Sequence, residues 1–316
     1  MFRTDINHFL QSFDSPFLYQ FLKYISFLGT IYMLILLVVT LIGAVNFRKG
    51  ILVLNILGWS SLVIVGAKQF FDYPRPLAVD PTLESFGSTK TNHDLTELQP
   101  TGFFDEFDGE VLAITRSREI GRYGFPSGHV AIISAIWLGI ALLFRRKWLW
   151  WLAGFLIVAT AISRMYLGVH YLGDVVGGLA IGTLLALSFN LIFRKIDLAS
   201  YSPLNKKQMF FYLAPLILVP FFKVIPAFQA GGLIGFNLAA LFIFNKWGAF
   251  QLNQSFWMRF LNVLIIGAFY FGGFFLLRAL HVGKYGVLPM LANIATYTAA
   301  LFVSFLTGKS LKFYRW

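Results

Sequence analysis

The chain has no cysteine. Disulfides, thiolate nucleophiles and cysteine-based metal sites are therefore excluded, and the redox state of its compartment leaves no mark on it. Charge is also scarce: 13% of 316 residues are charged, against about 25% in soluble domains. Acidic residues are the scarcer sign, 14 against 26 Lys and Arg, which gives a net charge of +12. Hydrophobic residues make up 58%, including 36 Phe, and the interior of a soluble domain of 316 residues cannot absorb that share. The excess must face lipid. The opening stretch MFRTDINHFLQSFDSPF carries Asp5 and Asp14 and has no small-residue cleavage site, so it does not read as a secretory leader. No internal repeat and no soluble second domain is visible.

What the chain does have is long apolar runs. A membrane span needs about 20 mostly apolar residues. Runs that qualify lie near 18–46, 51–70, 126–144, 148–168, 172–193, 208–225, 230–245, 259–280 and 286–306. The expectation is an all-α polytopic membrane bundle of about nine transmembrane helices. An odd count puts the termini on opposite sides.

Charge decides which side is which. Loops after the first, third, fifth and seventh runs hold Arg48, Lys49, Arg145, Arg146, Lys147, Arg194, Lys195, Lys206, Lys207, Lys246 and Arg259. The tail adds Lys309, Lys312 and Arg315, and Asp197 is the one acidic residue on that side. Basic residues collect in cytoplasmic loops, so the N-terminus is expected outside and the C-terminus in the cytoplasm. The same bias accounts for the net positive charge. No basic stripe with interleaved aromatics lies elsewhere, which speaks against a nucleic-acid partner.

Three short stretches carry ionisable groups beside these runs, where such groups are functional candidates by default. KQFFDYPRP holds Lys68 and Arg75, with Pro74 and Pro76 ending the helix before Arg75. Lysine offers a point charge and arginine a fork that matches two phosphate oxygens. GFPSGHV holds Ser127, Gly128 and His129, with Pro126 suited to a first helical position. A helix N-terminus there offers free N–H groups to an anion, Ser127 adds a hydroxyl, and His129 is a candidate proton donor. SRMYLGVHYLGD holds Arg164, His170 and Asp174. His170 and Asp174 share a helical face at a spacing of four, so the carboxylate can hold one ring nitrogen and leave the other as nucleophile. Two histidines and one carboxylate do not make a metal site, and magnesium would want more carboxylates. By the charge bias all three stretches fall on the extracytoplasmic face. The connection 71–125 between the second and third runs is acidic and reads as a lid or substrate collar, not as part of a phosphate cradle.

Lys68 with Arg75–Pro76, the PSGH run at 126–129, and Ser163–Arg164 with His170 and Asp174 resemble the three signature motifs of the type-2 phosphatidic acid phosphatase superfamily. That superfamily takes in bacterial lipid phosphatases, vanadium haloperoxidases and glucose-6-phosphatase, and the resemblance covers roughly residues 50–190. It implies a metal-independent, cofactor-free phosphatase. Lys68, Arg75, Ser127, Gly128 and Arg164 would bind phosphate. His170 would be the nucleophile oriented by Asp174, and His129 would be the proton donor. It further implies a lipid phosphate or diphosphate substrate within the bilayer, and a place in a bacterial inner membrane with the site facing outward. Residues 1–200 would be the phosphatase-like core and 201–316 additional helices of the same bundle. Lys223 and Arg278 there read mainly as interface anchors.

Other readings stay open. The nine-helix count resembles the glucose-6-phosphatase branch and so suggests a sugar-phosphate phosphatase, although Asp174 is a carboxylate that branch lacks at this place. A lipid phosphotransferase would use the same phosphohistidine. A transporter or anion-binding protein would use the cations but leaves the nucleophile–carboxylate pair and the separate acid without a role.

Overall fold

A computed structural model describes residues 1–86, 99–117, 123–198, 204–248 and 250–315. They are helical almost throughout. A short helix α1 (Asp5–Gln11) is followed by α2 (Pro16–Leu28), which starts on Pro16 behind Ser15, whose Oγ accepts the N–H of Leu18 at 3.4 Å. Serine at that position satisfies one of the free amides of a first turn. Gly29 and Thr30 then interrupt the helix before α3 (Ile31–Thr40), which runs on as a π turn, Leu41–Val45. The run expected at 18–46 is thus a bent pair and not one rod.

The helices α4 (Phe47–Phe71), α8 (Lys147–Tyr166), α9 (Leu172–Lys195), α11 (Ala227–Trp247), α12 (Phe256–Ala279) and α13 (Val287–Ser310) are long and apolar enough to cross a membrane. Between α4 and α8 lie the short helices α5 (Pro76–Val79) and α6 (Gly109–Ser117), then α7 (Gly128–Phe144), which at 17 residues is at the short end of the spanning range. The run at 208–225 is not one helix. It is α10 (Lys206–Leu213) followed by a 3₁₀ segment, Ala214–Phe221, because Pro215 and Pro220 each lack the N–H that an α-helix needs. The described residues therefore hold six spanning helices, or seven with the bent pair, where nine were expected.

The chain forms two compact units. One is Met1–Met33 with Val63–Ser188, and the other is Leu34–Leu62 with Phe189–Trp316. In the second, α11 lies against α13 through glycines: a Cβ on Gly231 would be 2.5 Å from Asn293 Cβ, and one on Gly235 would be 2.6 Å from the Ile294 carbonyl. Lys223 and Arg278 are exposed there. The first unit holds all three ionisable stretches. Its connection between α4 and α7 is packed in part: Tyr73, Phe107 and Val111 are buried with Phe2 and Tyr171, whereas Phe103 and Phe104 are exposed. Residues 87–98 and 118–122 of the expected collar lie outside the described residues.

Helices in lipid gain nothing from hiding apolar side chains from one another, so they associate through close backbone approach at small residues. Here α9 meets α7 that way. A Cβ on Gly178 would be 2.6 Å from the Ser127 carbonyl, and one on Gly182 would be 2.3 Å from the Ala131 carbonyl. Both contacts are backbone and cannot yield without parting the helices. Gly154 in α8 has open space around it. Gly182→Ala should therefore destabilise the protein by about 1–3 kcal/mol, the range for overpacking. Gly154→Ala should be neutral or stabilise by up to about 1 kcal/mol through helix propensity. Thermal melting in detergent checks the contrast.

Candidate active site

Three stretches far apart in sequence are fastened to one another by backbone hydrogen bonds. The α4 helix stops at Phe71, and Arg75 stands in an extended conformation (φ −96°, ψ 154°) ahead of Pro76, as the flanking prolines require. Gly124 N–H donates to the Tyr73 carbonyl at 2.7 Å, and a Cβ on Gly124 would be 2.5 Å from the Pro74 carbonyl, so the second stretch runs directly against the first. Ser127 N–H donates to the Asp174 carbonyl at 2.9 Å and joins the second stretch to the third. Leu77 N–H donates to the Gly168 carbonyl at 3.2 Å and joins the first to the third. Gly168 sits at φ +67°, a left-handed position where glycine is free of strain, and so turns the chain from α8 toward His170.

This fastening brings the eight candidate residues to one place. The innermost pair is His170 and Asp174, 2% and 0% exposed. His170 Nδ1 lies 3.2 Å from Asp174 Oδ2, and the same oxygen accepts the N–H of Tyr171 at 2.9 Å. With Nδ1 bonded to the carboxylate, Nε2 is the nitrogen left for chemistry. Around the pair stand Lys68, Arg75, His129 and Arg164, each partly buried. All four act electrostatically on His170, and Lys68 and Arg75 also act on Asp174. Lys68 Nζ donates to the Tyr123 carbonyl at 2.6 Å, and its Cε would lie 3.4 Å from a Cβ on Gly128. Arg164 Nη1 donates to Ser26 Oγ at 2.5 Å, while its Nε is buried without a partner. The Ser127 hydroxyl is likewise buried and unpartnered. Three cations against one carboxylate, with spare buried donors, make a site suited to a multiply charged anion.

One detail differs from expectation. Pro126 does not begin the helix: Ser127 is the N-cap, extended at φ −65°, ψ 107°, and α7 starts at Gly128. The Ser127 amide is committed to Asp174, so the amides left without an intrahelical acceptor in the first turn are those of Gly128, His129 and Val130. Sequence reasoning also missed Asn7. It is fully buried on α1, and its Nδ2 donates to the carbonyls of Met165 at 2.7 Å and His170 at 3.1 Å. Nothing in the pattern of the opening stretch marks it.

His170 lies in the turn between α8 and α9. Burial, then the charges of Arg164, Lys68 and Arg75, hold its imidazole well below the ordinary value of 6.5. The ring is therefore neutral, with a lone pair, at neutral pH.

Residues 49–197 match the model of the PAP2 superfamily. A segment is 36% identical over 73 residues to lipid A 4'-phosphatase of Bacteroides thetaiotaomicron, covering 23% of this chain and 32% of that protein. Another is 36% identical over 72 residues to phosphatidylglycerophosphatase B of Bacillus subtilis, covering 20% and 36%. The matched segments thus span about a third of these relatives. A solved structure, a transmembrane PAP2-type phosphatidylglycerolphosphate phosphatase from Bacillus subtilis, aligns over 61% of this chain and 85% of its own, at 23% identity and a TM-score of 0.44.

A histidine that resists protonation when folded binds fewer protons than the unfolded chain does below pH 6.5. Stability is then highest above that value and falls as pH drops below it. The melting temperature of the wild type should decline more steeply from pH 6.5 downward than that of His170→Gln. Equal slopes would mean that the imidazole protonates freely in the folded protein.

Proposed function

We propose that this chain, which belongs to the PAP2 superfamily through residues 49–197, is an integral membrane phosphatase acting on a lipid phosphate or lipid diphosphate. In this reading turnover passes through a phosphohistidine on His170 and needs no metal. The observation that carries it is the buried His170–Asp174 pair set among three cations and a second histidine. The names of the relatives, a lipid A phosphatase and a phosphatidylglycerophosphatase, support the substrate class.

Lys68, Arg75 and Arg164 hold the phosphoryl oxygens, assisted by the Ser127 hydroxyl and the Gly128 amide. Nε2 of His170 attacks phosphorus while the bond to the leaving oxygen breaks, and His129 gives that oxygen its proton. Asp174 keeps Nδ1–H in place and balances the positive charge the ring acquires. His129 then takes a proton from water, the water oxygen attacks phosphorus, the P–N bond breaks and phosphate leaves. Charge spread over the equatorial oxygens is met by fixed cations, which is what phosphoryl transfer asks of a protein. Among the described residues no three His, Asp or Glu side chains converge to hold a metal ion.

Phosphate release by the purified protein in detergent with EDTA, across lipid phosphates, lipid diphosphates and sugar phosphates, tests the reading. His170→Ala should lose turnover altogether, and His129→Ala should lose about 10²–10⁴-fold on alkyl esters. Rapid quenching should trap an acid-labile phosphoryl label on wild type and none on His170→Ala. Residual turnover by His170→Ala, or loss of activity in EDTA, would overturn the mechanism. Preference for sugar phosphates would move the substrate class, and release that requires an added acceptor would make the protein a phosphotransferase.

The reading also places the site on the extracytoplasmic face, with the N-terminus outside and the C-terminus in the cytoplasm. Because native cysteine is absent, single cysteines report the topology cleanly. Glu110→Cys should be labelled from outside intact cells by an impermeant maleimide, and Lys147→Cys only after permeabilisation. The reverse pattern would invert the assignment.

A further inference from the structure

The helix α2 lies outside the matched residues 49–197, yet one of its faces touches the catalytic groups. Leu22, Ser26 and Gly29 are spaced by four and three, which puts them on one side of a helix. The Leu22 carbonyl accepts from Ser163 Oγ at 2.6 Å, and Ser26 Oγ accepts from Arg164 Nη1 at 2.5 Å. Gly29 meets His129: a Cβ there would stand 2.8 Å from His129 Cδ2 and 3.5 Å from Cγ.

Backbone conformation does not explain the glycine. Gly29 has φ −83° and ψ 0°, which any residue adopts. What excludes a side chain is the imidazole, since real Cβ atoms do not approach another heavy atom to 2.8 Å.

We propose that this face of α2 is a positioning wall for the catalytic centre, with Ser26 aiming the Arg164 guanidinium and Gly29 setting the ring of His129. The inference rests on the reading of His129 as proton donor. Gly29 is a positioning residue and not a catalytic one: it leaves the room in which the ring can hold its proton against the leaving oxygen.

Leaving-group dependence separates this role from a structural one. An alkyl ester needs its departing alkoxide protonated, whereas p-nitrophenolate departs without help. Gly29→Ala should lower kcat on dioleoyl phosphatidate by about tenfold or more, as misplacement of a catalytic group does. On p-nitrophenyl phosphate it should change less than about threefold, the pattern of His129→Ala in weaker form. In the His129→Ala background, Gly29→Ala should add no further loss, because no ring is left to meet the new methyl group. If Gly29→Ala also lowers the melting temperature, removing the ring should restore it. Ser26→Ala should raise KM on both substrates alike, and Ser26→Thr, which keeps the acceptor oxygen, should recover most of it.

Equal loss on both substrates, or additive loss in the double variant, would overturn the wall at Gly29 while leaving the phosphatase reading intact, provided His129→Ala itself discriminates between the substrates. Failure of His129→Ala to discriminate would overturn the proton-donor assignment, and the inference with it.

Discussion

The site turns on Asp174, a carboxylate with no exposure at all. A buried charge is costly unless it is paired and hydrogen-bonded. Asp174 meets that condition through one oxygen: Oδ2 faces His170 Nδ1 and accepts the Tyr171 amide, with Lys68 and Arg75 within electrostatic reach, while Oδ1 is buried without a hydrogen-bond partner. Its backbone carbonyl accepts from Ser127. One residue thus holds the proposed nucleophile with its side chain and fixes the start of α7 with its main chain. Displacing it would loosen both together.

That arrangement requires α7 and α9 to lie closer than ordinary side chains permit. Gly178 faces the Ser127 carbonyl and Gly182 the Ala131 carbonyl, so the glycines set the distance at which Ser127 N–H can reach Asp174 at all. The small residues are therefore part of the active-site geometry and not only of membrane packing. Gly29 extends the same logic to α2, where missing side-chain volume leaves room for an imidazole.

The candidate site was legible because its residues are chemically unusual for their surroundings. Charged groups beside spanning helices stand out, and the prolines around Arg75 dictate the extended backbone found there. The helical class followed from composition. The bent pair at Gly29–Thr30 and the broken helix at 208–225 were less legible, because hydropathy counts apolar residues without regard to whether each can donate a backbone hydrogen bond. Pro215 and Pro220 were visible in the sequence and decide that case. Asn7, Ser26 and Gly29 could not be found at all. Asn7 reaches Met165 and His170 across more than 150 residues, and contacts of that kind leave no local pattern.

Electrostatic balance explains why the arrangement suits phosphoryl transfer better than anion storage. The three cations are only partly buried, so water still solvates them in part, whereas the His170–Asp174 pair beneath them is closed off. In the proposed reaction such a gradient would draw a phosphate to the rim and present its phosphorus to a neutral ring, in a region where fixed charges act with little screening. A binding protein needs the rim alone. A carboxylate beneath the rim does not help hold an anion; in the proposed mechanism its place is explained by the positive charge that His170 would gain as Nε2 forms a bond. In that proposed reaction, a carboxylate that opposes the bound anion and favours the charge developing on the ring would bind the transition state better than the ground state.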